Sequence, residues 1–163
     1  SEKSTGVITN MGERVNMVNK LVSYNVQLAT VLTSSIDYKC HYDVCALCAI
    51  ILNIRSIDDI FFKFDKDRYN RKNYDKKRKN LTHEDGDAFT LLKMYYLYYK
   101  NAKKMTRGML IKLCKENYLD YDKLSNIRRD HLKFFRETNP LLTYRDASVK
   151  TYDYYSNMLL SIL

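Results

Sequence analysis

The sequence predicts an all-α protein, a bundle of about seven helices that begins with a short β segment. Two observations favour this fold class. The 163 residues include 4 Gly and 1 Pro, too few for the many turns of a β-sandwich or barrel. Apolar residues also recur at helical rather than alternating spacing. With 45% hydrophobic residues, a chain of this length can bury a core without disulfides or metals.

The β segment is expected at the N-terminus. Gly6 and Gly12 flank Val7-Ile8-Thr9-Asn10-Met11, which is rich in β-branched residues. Such a stretch between two glycines is typical of a strand or the remnant of a hairpin.

The helices are predicted in order from their apolar spacing. Residues 13–22 and 25–36 each place apolar side chains on one face and are expected to pair as a hairpin. Residues 42–54 are apolar nearly all round, which favours a central buried helix over a buried strand because Ala, Leu and Cys are abundant. Asp85 or Asp87 is expected to cap a helix that ends near Asn101. Further helices are expected at residues 106–118, 121–137 and 147–163.

The charge balance indicates a polyanionic partner. The chain has 28 Lys+Arg against 19 Asp+Glu, a net charge of +9, and nucleic acid is the commonest partner of such proteins. Residues 63–79 hold nine basic residues and three Asp. This segment has no sustained apolar face, so a long exposed loop or a solvated helix is expected. It can serve as a solubilising insertion or as an electrostatic contact to a phosphate backbone.

No catalytic centre is expected in this chain. It lacks a Gly-x-x-x-x-Gly-Lys phosphate loop, a Gly-x-Ser-x-Gly elbow and a His-Glu-x-x-His motif. His83-Glu84-Asp85-Gly86 is interpreted as a helix entry, and Asp58-Asp59 as a helix start. His131 is interpreted as structural.

A metal site is not expected either, although Cys40, His41, Cys45 and Cys48 crowd one segment. Cys45 and Cys48 lie in an apolar run, and free cysteine is among the residues most often buried. The four cysteines form no secreted framework, and no signal peptide opens the chain. We therefore expect an intracellular protein that is located in the nucleus or the cytoplasm, and a viral origin is compatible with this expectation.

Three stretches in order resemble the C-terminal helicase-associated (HA2) region of DEAH/RHA-type RNA helicases. Gly6–Arg14 resembles the family's Gly-x-Leu-Thr-x-Leu-Gly-Arg passage. Glu84–Tyr95 is similar to Glu-Gly-Asp-His-Leu-Thr-Leu-Leu-Asn-Val-Tyr, with Ala88 in place of the family's His. Cys114–Tyr121 is similar to Cys-x-Glu-Asn-Phe-x-x-Tyr. The resemblance covers most of residues 5–137.

The resemblance implies an accessory domain of an ATP-dependent 3′-5′ RNA helicase. Residues 1–12 would be the end of a winged-helix wing, and residues 13–163 a ratchet-like helical bundle lining the channel for single-stranded RNA. ATP and Mg²⁺ would be bound by motor domains of the same polypeptide, and no cofactor by this chain. A protein cofactor is a further partner of such helicases, and no membrane contact is implied.

The resemblance also places the RNA contacts. The helix after Tyr121 would meet the strand, with either Arg128 or Arg129 matching the family's helix arginine. Its expected contacts are Lys123, Ser125, Asn126, Arg128 and Arg129. The cluster Lys76, Lys77, Arg78 and Lys79 is expected to assist nonspecific capture.

The alternative function is a non-enzymatic basic helical module that binds an acidic protein partner. A third, a metal-dependent regulator, would use residues 40–48.

Overall fold

The computed structural model describes residues 6–36, 40–61, 71–82 and 86–141. These residues form seven α-helices and no strand, which confirms the all-α class. The helices are α1 (Gly6–Leu21), α2 (Val26–Ser35), α3 (His41–Asn53), α4 (Arg71–Leu81), α5 (Asp87–Ala102), α6 (Arg107–Glu116) and α7 (Tyr121–Thr138). Short 3-10 turns lie at Ile57–Ile60 and Asn139–Leu141. The predicted helix at residues 147–163 lies outside the described residues.

The predicted β segment at residues 7–11 is wrong. These residues belong to α1, which begins at Gly6 and continues through Gly12 to Leu21. An isolated strand leaves its backbone groups unpaired, whereas a helix pairs them within the segment. The preference of β-branched residues for strands is too weak to offset that difference. The assignment of residues 1–12 to a winged-helix end stays a prediction.

The helix ends follow local backbone signals. Ser23 and Tyr24 adopt φ angles of 54° and 60° between α1 and α2, which pack together as the predicted hairpin. At the start of α5 the N-cap is Gly86 (φ 116°) and not Asp87, so the prediction for Asp87 is wrong. Asp85 lies outside the described residues. Asp87 instead lies in the first turn. The end of α6 at Glu116, two residues earlier than predicted, precedes a left-handed Tyr118 (φ 58°).

The centre of the bundle is α3, as predicted. It packs along α7 more extensively than along any other helix and also contacts α2 and α5. The buried residues of α3 are His41, Tyr42, Cys45, Ala46, Cys48, Ala49 and Ile50. Because apolar residues surround this helix on nearly every side, burial in the middle of the fold removes the most apolar area from water.

The basic segment is helical where the structure describes it. In α4 the Tyr74 and Leu81 side chains are buried. The Tyr74 ring lies 5.7 Å from the Phe61 ring and 5.3 Å from the Tyr118 ring, both edge-on. These contacts turn one side of α4 towards the bundle and leave the other side to solvent.

Candidate nucleic-acid interface

The five predicted RNA contacts on α7 do not share one face. The N-cap of the helix is Asp120, whose Oδ1 accepts a hydrogen bond from the Lys123 main-chain N–H at 3.0 Å. Its buried residues are Leu124, Ile127, His131, Phe134 and Thr138. The candidates occupy the remaining three sides, towards α3, towards α5 and towards solvent. A single strand on one side therefore cannot meet all five side chains.

Lys123 points towards α3. Its Nζ donates a hydrogen bond to the Asn53 carbonyl oxygen at 3.2 Å. A polar cleft of about 770 Å³ opens beside it, lined also by Arg55, Asp59 and Asp120. The main-chain N–H of Arg55 lowers the pKa of the Asp59 carboxyl, and the Lys123 charge lowers it further. Lys123 thus already interacts with groups of its own chain.

Ser125 and Arg128 point towards α5. Ser125 hydrogen-bonds the Tyr98 hydroxyl, and the Arg128 guanidinium carbon lies 6.0 Å from the centre of the Tyr99 ring. The Arg128 Nε is buried and has no hydrogen-bond partner. Lys103 Nζ lies 4.9 Å from the same Tyr99 ring. This side of α7 therefore packs against the tyrosines of α5.

Those tyrosines are a packing cluster and not a platform for stacking bases. The side chains of Tyr95, Tyr96, Tyr98 and Tyr99 are all buried. The Tyr95 ring lies 5.4 to 6.5 Å from the other three rings. A base cannot stack on a ring whose faces already meet other side chains. All four tyrosines therefore serve packing in the core.

Asn126 and Arg129 face solvent and belong to a longer row. The Arg129 side chain is 72% exposed, and its Nε lies 3.9 Å from Asp130 Oδ1. Lys133 and Arg136 are exposed too, and their spacing after Arg129 places them on the same face. We call Asn126, Arg129, Lys133 and Arg136 the α7 row. Lys133 and Arg136 are not among the predicted contacts, although their i+4 and i+7 spacing from Arg129 indicates a shared helix face.

The α4 cluster is divided in a similar way. Arg78 donates to Asp58 Oδ1 at 2.5 Å and lies 4.9 Å over the Phe61 ring. Lys77 is half-buried, whereas Lys76 and Lys79 are exposed. Lys72 is exposed as well and shares their face at i, i+4 and i+7 spacing. The outward face of α4 therefore presents Lys72, Lys76 and Lys79, while Arg78 holds α4 to the bundle.

The Cys/His segment forms a buried hydrogen-bond network. His41 Nδ1 lies 2.7 Å from Ser35 Oγ, and Nε2 lies 2.6 Å from Thr138 Oγ1 and 3.4 Å from Cys45 Sγ. Burial lowers the pKa of His41 to about 4 and raises that of Cys45. Both groups are therefore neutral near pH 7, the opposite of an activated thiolate–imidazolium pair. Within the described residues, no three His, Cys, Asp or Glu side chains are grouped to hold a metal.

His131 has a comparable environment. Its Nε2 donates to the Tyr42 carbonyl oxygen at 3.0 Å, and Nδ1 lies 2.7 Å from the Tyr95 hydroxyl. Burial lowers the pKa of His131 to about 3, and the charges of Arg128 and Lys103 lower it further. A neutral imidazole that links α3, α5 and α7 has the structural role predicted for it.

No protein-family model matches this chain. Among the described helices, none is both long and apolar enough to cross a membrane.

Proposed function

We propose that this chain is an RNA-binding accessory domain of an ATP-dependent 3′-5′ RNA helicase. The proposal combines the ordered motifs of the sequence with one structural observation, the solvent-exposed α7 row. Arg129, Lys133 and Arg136 lie on one face of a helix whose opposite face is buried in the core. A rigid helix that presents cations at regular spacing suits the phosphates of a single strand.

The outward face of α4 supports the same proposal. Lys72, Lys76 and Lys79 are exposed, and the Arg78–Asp58 ion pair holds the helix to the rest of the bundle. Such a surface suits the nonspecific, salt-dependent part of RNA binding. ATP and Mg²⁺ belong to motor domains of the proposed parent protein, and no residue of this chain is assigned to them.

RNA binding can be tested with fluorescently labelled U20 and the 163-residue chain. We expect the affinity to fall steeply as salt rises, since bound phosphates release counterions. The variant R129E/R136E should bind roughly tenfold more weakly at 0.1 M salt, because about two phosphate contacts are lost. A matched control is K20E/R55E, which reverses two exposed charges on other parts of the surface.

Two results would contradict the proposal. One is the absence of U20 binding by the unmodified chain. The other is an equal affinity for R129E/R136E and the control. Displacement of U20 by polyglutamate at equal charge concentration would favour the alternative, an acidic protein partner.

A further inference from the structure

A third basic region lies at the α5–α6 corner. Residues 100–116 contain six basic residues and one acid, Glu116. Of these, Lys104, Arg107, Lys112 and Lys115 are exposed on or just before α6. We call these four residues the α6 basic face. Leu110 and Cys114 are buried, and Lys112 and Lys115 lie on the outer side of the helix, so the core contacts of α6 hold these two lysines outward.

Two features at the start of α6 lower the stability of that helix. Arg107 lies in the first turn, which holds no acidic residue, although the positive end of the helix dipole disfavours cations there. Gly108 follows inside the helix, where glycine costs roughly 1 kcal/mol relative to alanine. A Cβ at Gly108 would meet no atom within 4 Å, so packing does not require glycine. Local choices that oppose stability are typical of functional surfaces.

The chemistry of this face suits a phosphate backbone better than an acidic protein. Protein partners usually insert large apolar or aromatic side chains into a pocket at the centre of an interface. Here the outer side of α6 carries Gly108, Lys112 and Lys115 at i, i+4 and i+7 spacing. Met109, which is 56% exposed, is the one large hydrophobic residue exposed on this helix. Glycine in the row lets a strand lie close to the helix backbone.

We propose that the α6 basic face is a second contact surface for the phosphates of single-stranded RNA, separate from the α7 row. This inference rests on the proposed RNA-binding function. Helices α6 and α7 pack against each other, and packed helix axes lie about 8–10 Å apart. A strand of ten or more nucleotides is therefore long enough to reach both helices.

The test compares K112E/K115E with K20E/R55E and with R129E/R136E, using U20 and a salt titration. We expect K112E/K115E to bind roughly tenfold more weakly at 0.1 M salt and to reduce the salt slope by about 1.4, the value for two phosphates of a single strand. The variant K112Q/K115Q should lose a smaller part of the affinity. Circular dichroism and thermal unfolding verify that each variant is folded.

The outcomes separate this inference from the proposed function. If K112E/K115E binds U20 as tightly as the control while R129E/R136E binds weakly, the proposal that the α6 basic face contacts RNA is overturned and the proposed function stands. If the unmodified chain does not bind U20, both are overturned. If K112E/K115E and K112Q/K115Q both weaken binding and lower the salt slope, the α6 surface is supported.

Discussion

His41 Nε2 and Thr138 Oγ1 lie 2.6 Å apart, although 97 positions separate the two residues in the sequence. The contact joins the first residue of α3 to the last residue of α7. Thr138 Oγ1 also donates to the Phe134 carbonyl oxygen at 2.7 Å. The most extensive helix pair of the bundle is thus fixed at one end by a fully buried polar contact.

Replacing Thr138 with Val should destabilise the protein by about 1–3 kcal/mol. The shape of the side chain is kept, but buried polar groups of His41 and Phe134 lose a partner. Thr30 offers a matched control, because its Oγ1 makes the same type of bond to Val26 O on an exposed surface. We expect Thr30→Val to change the free energy of unfolding, measured with urea, by less than about 0.5 kcal/mol. Equal effects of the two substitutions would contradict a structural role for the buried contact.

Acid should destabilise the protein well before the carboxylates titrate. In the folded protein the pKa values of His41 and His131 are about 4 and about 3, whereas in the unfolded chain they are near 6.5. Below pH 6.5 the unfolded state binds more protons, so stability is complete above that pH and falls as the pH decreases. When the pH is lowered from 7 to 5, the two histidines together should reduce the free energy of unfolding by about 3–4 kcal/mol.

The measurement is urea unfolding at several pH values above 5. This range avoids most of the opposing contribution of Asp43, whose pKa is raised by burial. The variant His131→Gln can still hydrogen-bond Tyr42 O and the Tyr95 hydroxyl, but it does not titrate. Its free energy of unfolding should depend less steeply on pH than that of the unmodified protein. An unchanged slope would show that His131 does not contribute to the pH dependence.

Tyr96→Phe should raise the pKa of Asp43 further. The Tyr96 hydroxyl donates to Asp43 Oδ1, and this bond opposes the effect of burial on the carboxyl. Loss of the donor should cost about 1.5–3 kcal/mol at pH 7, because the acceptor is charged and partly buried. That cost should shrink as the pH falls and Asp43 is protonated. NMR titration of the Asp43 carboxyl measures the pKa, and Tyr24→Phe, at a 68% exposed position, is the control.

The same substitution at two glycines should have opposite effects. Gly86→Ala forces a side chain onto a residue with φ of 116°, a conformation that costs an L-residue about 1–2 kcal/mol. Gly108→Ala adds a methyl group in open space within α6 and should stabilise the protein by about 0.5–1 kcal/mol. Thermal unfolding measures both changes. A lower melting temperature for Gly108→Ala would contradict the conclusion that the fold does not require glycine there.

Most of the helices could be predicted because their signals lie in consecutive residues. The all-round apolar character of residues 42–54 identifies α3 as the central helix, and the helix predicted over residues 121–137 starts where α7 starts, at Tyr121. The error at residues 7–11 has the same origin. The β-branched residues favour a strand locally, but among the described residues there is no second strand to pair with it.

The candidate site was less predictable. The family resemblance implies that five neighbouring polar residues of α7 contact RNA together, yet Lys123 binds the end of α3 and Arg128 lies against Tyr99. Arg78 was grouped with three lysines, but it pairs with Asp58, 20 positions away. Which side of a helix meets solvent depends on the neighbours that cover the other sides, and those neighbours come from distant parts of the chain.

The sequence by itself determined that this protein is helical and basic and that α3 lies in its middle, since composition and apolar spacing are properties of neighbouring residues. The tertiary structure alone decided which cations face solvent. The exposed rows on α4 and α7 and the basic face of α6 exist because Tyr74, Ile127 and Leu110 are buried on the opposite sides of those helices. Burying an apolar face orients the polar one, and that orientation is set only when the helices pack.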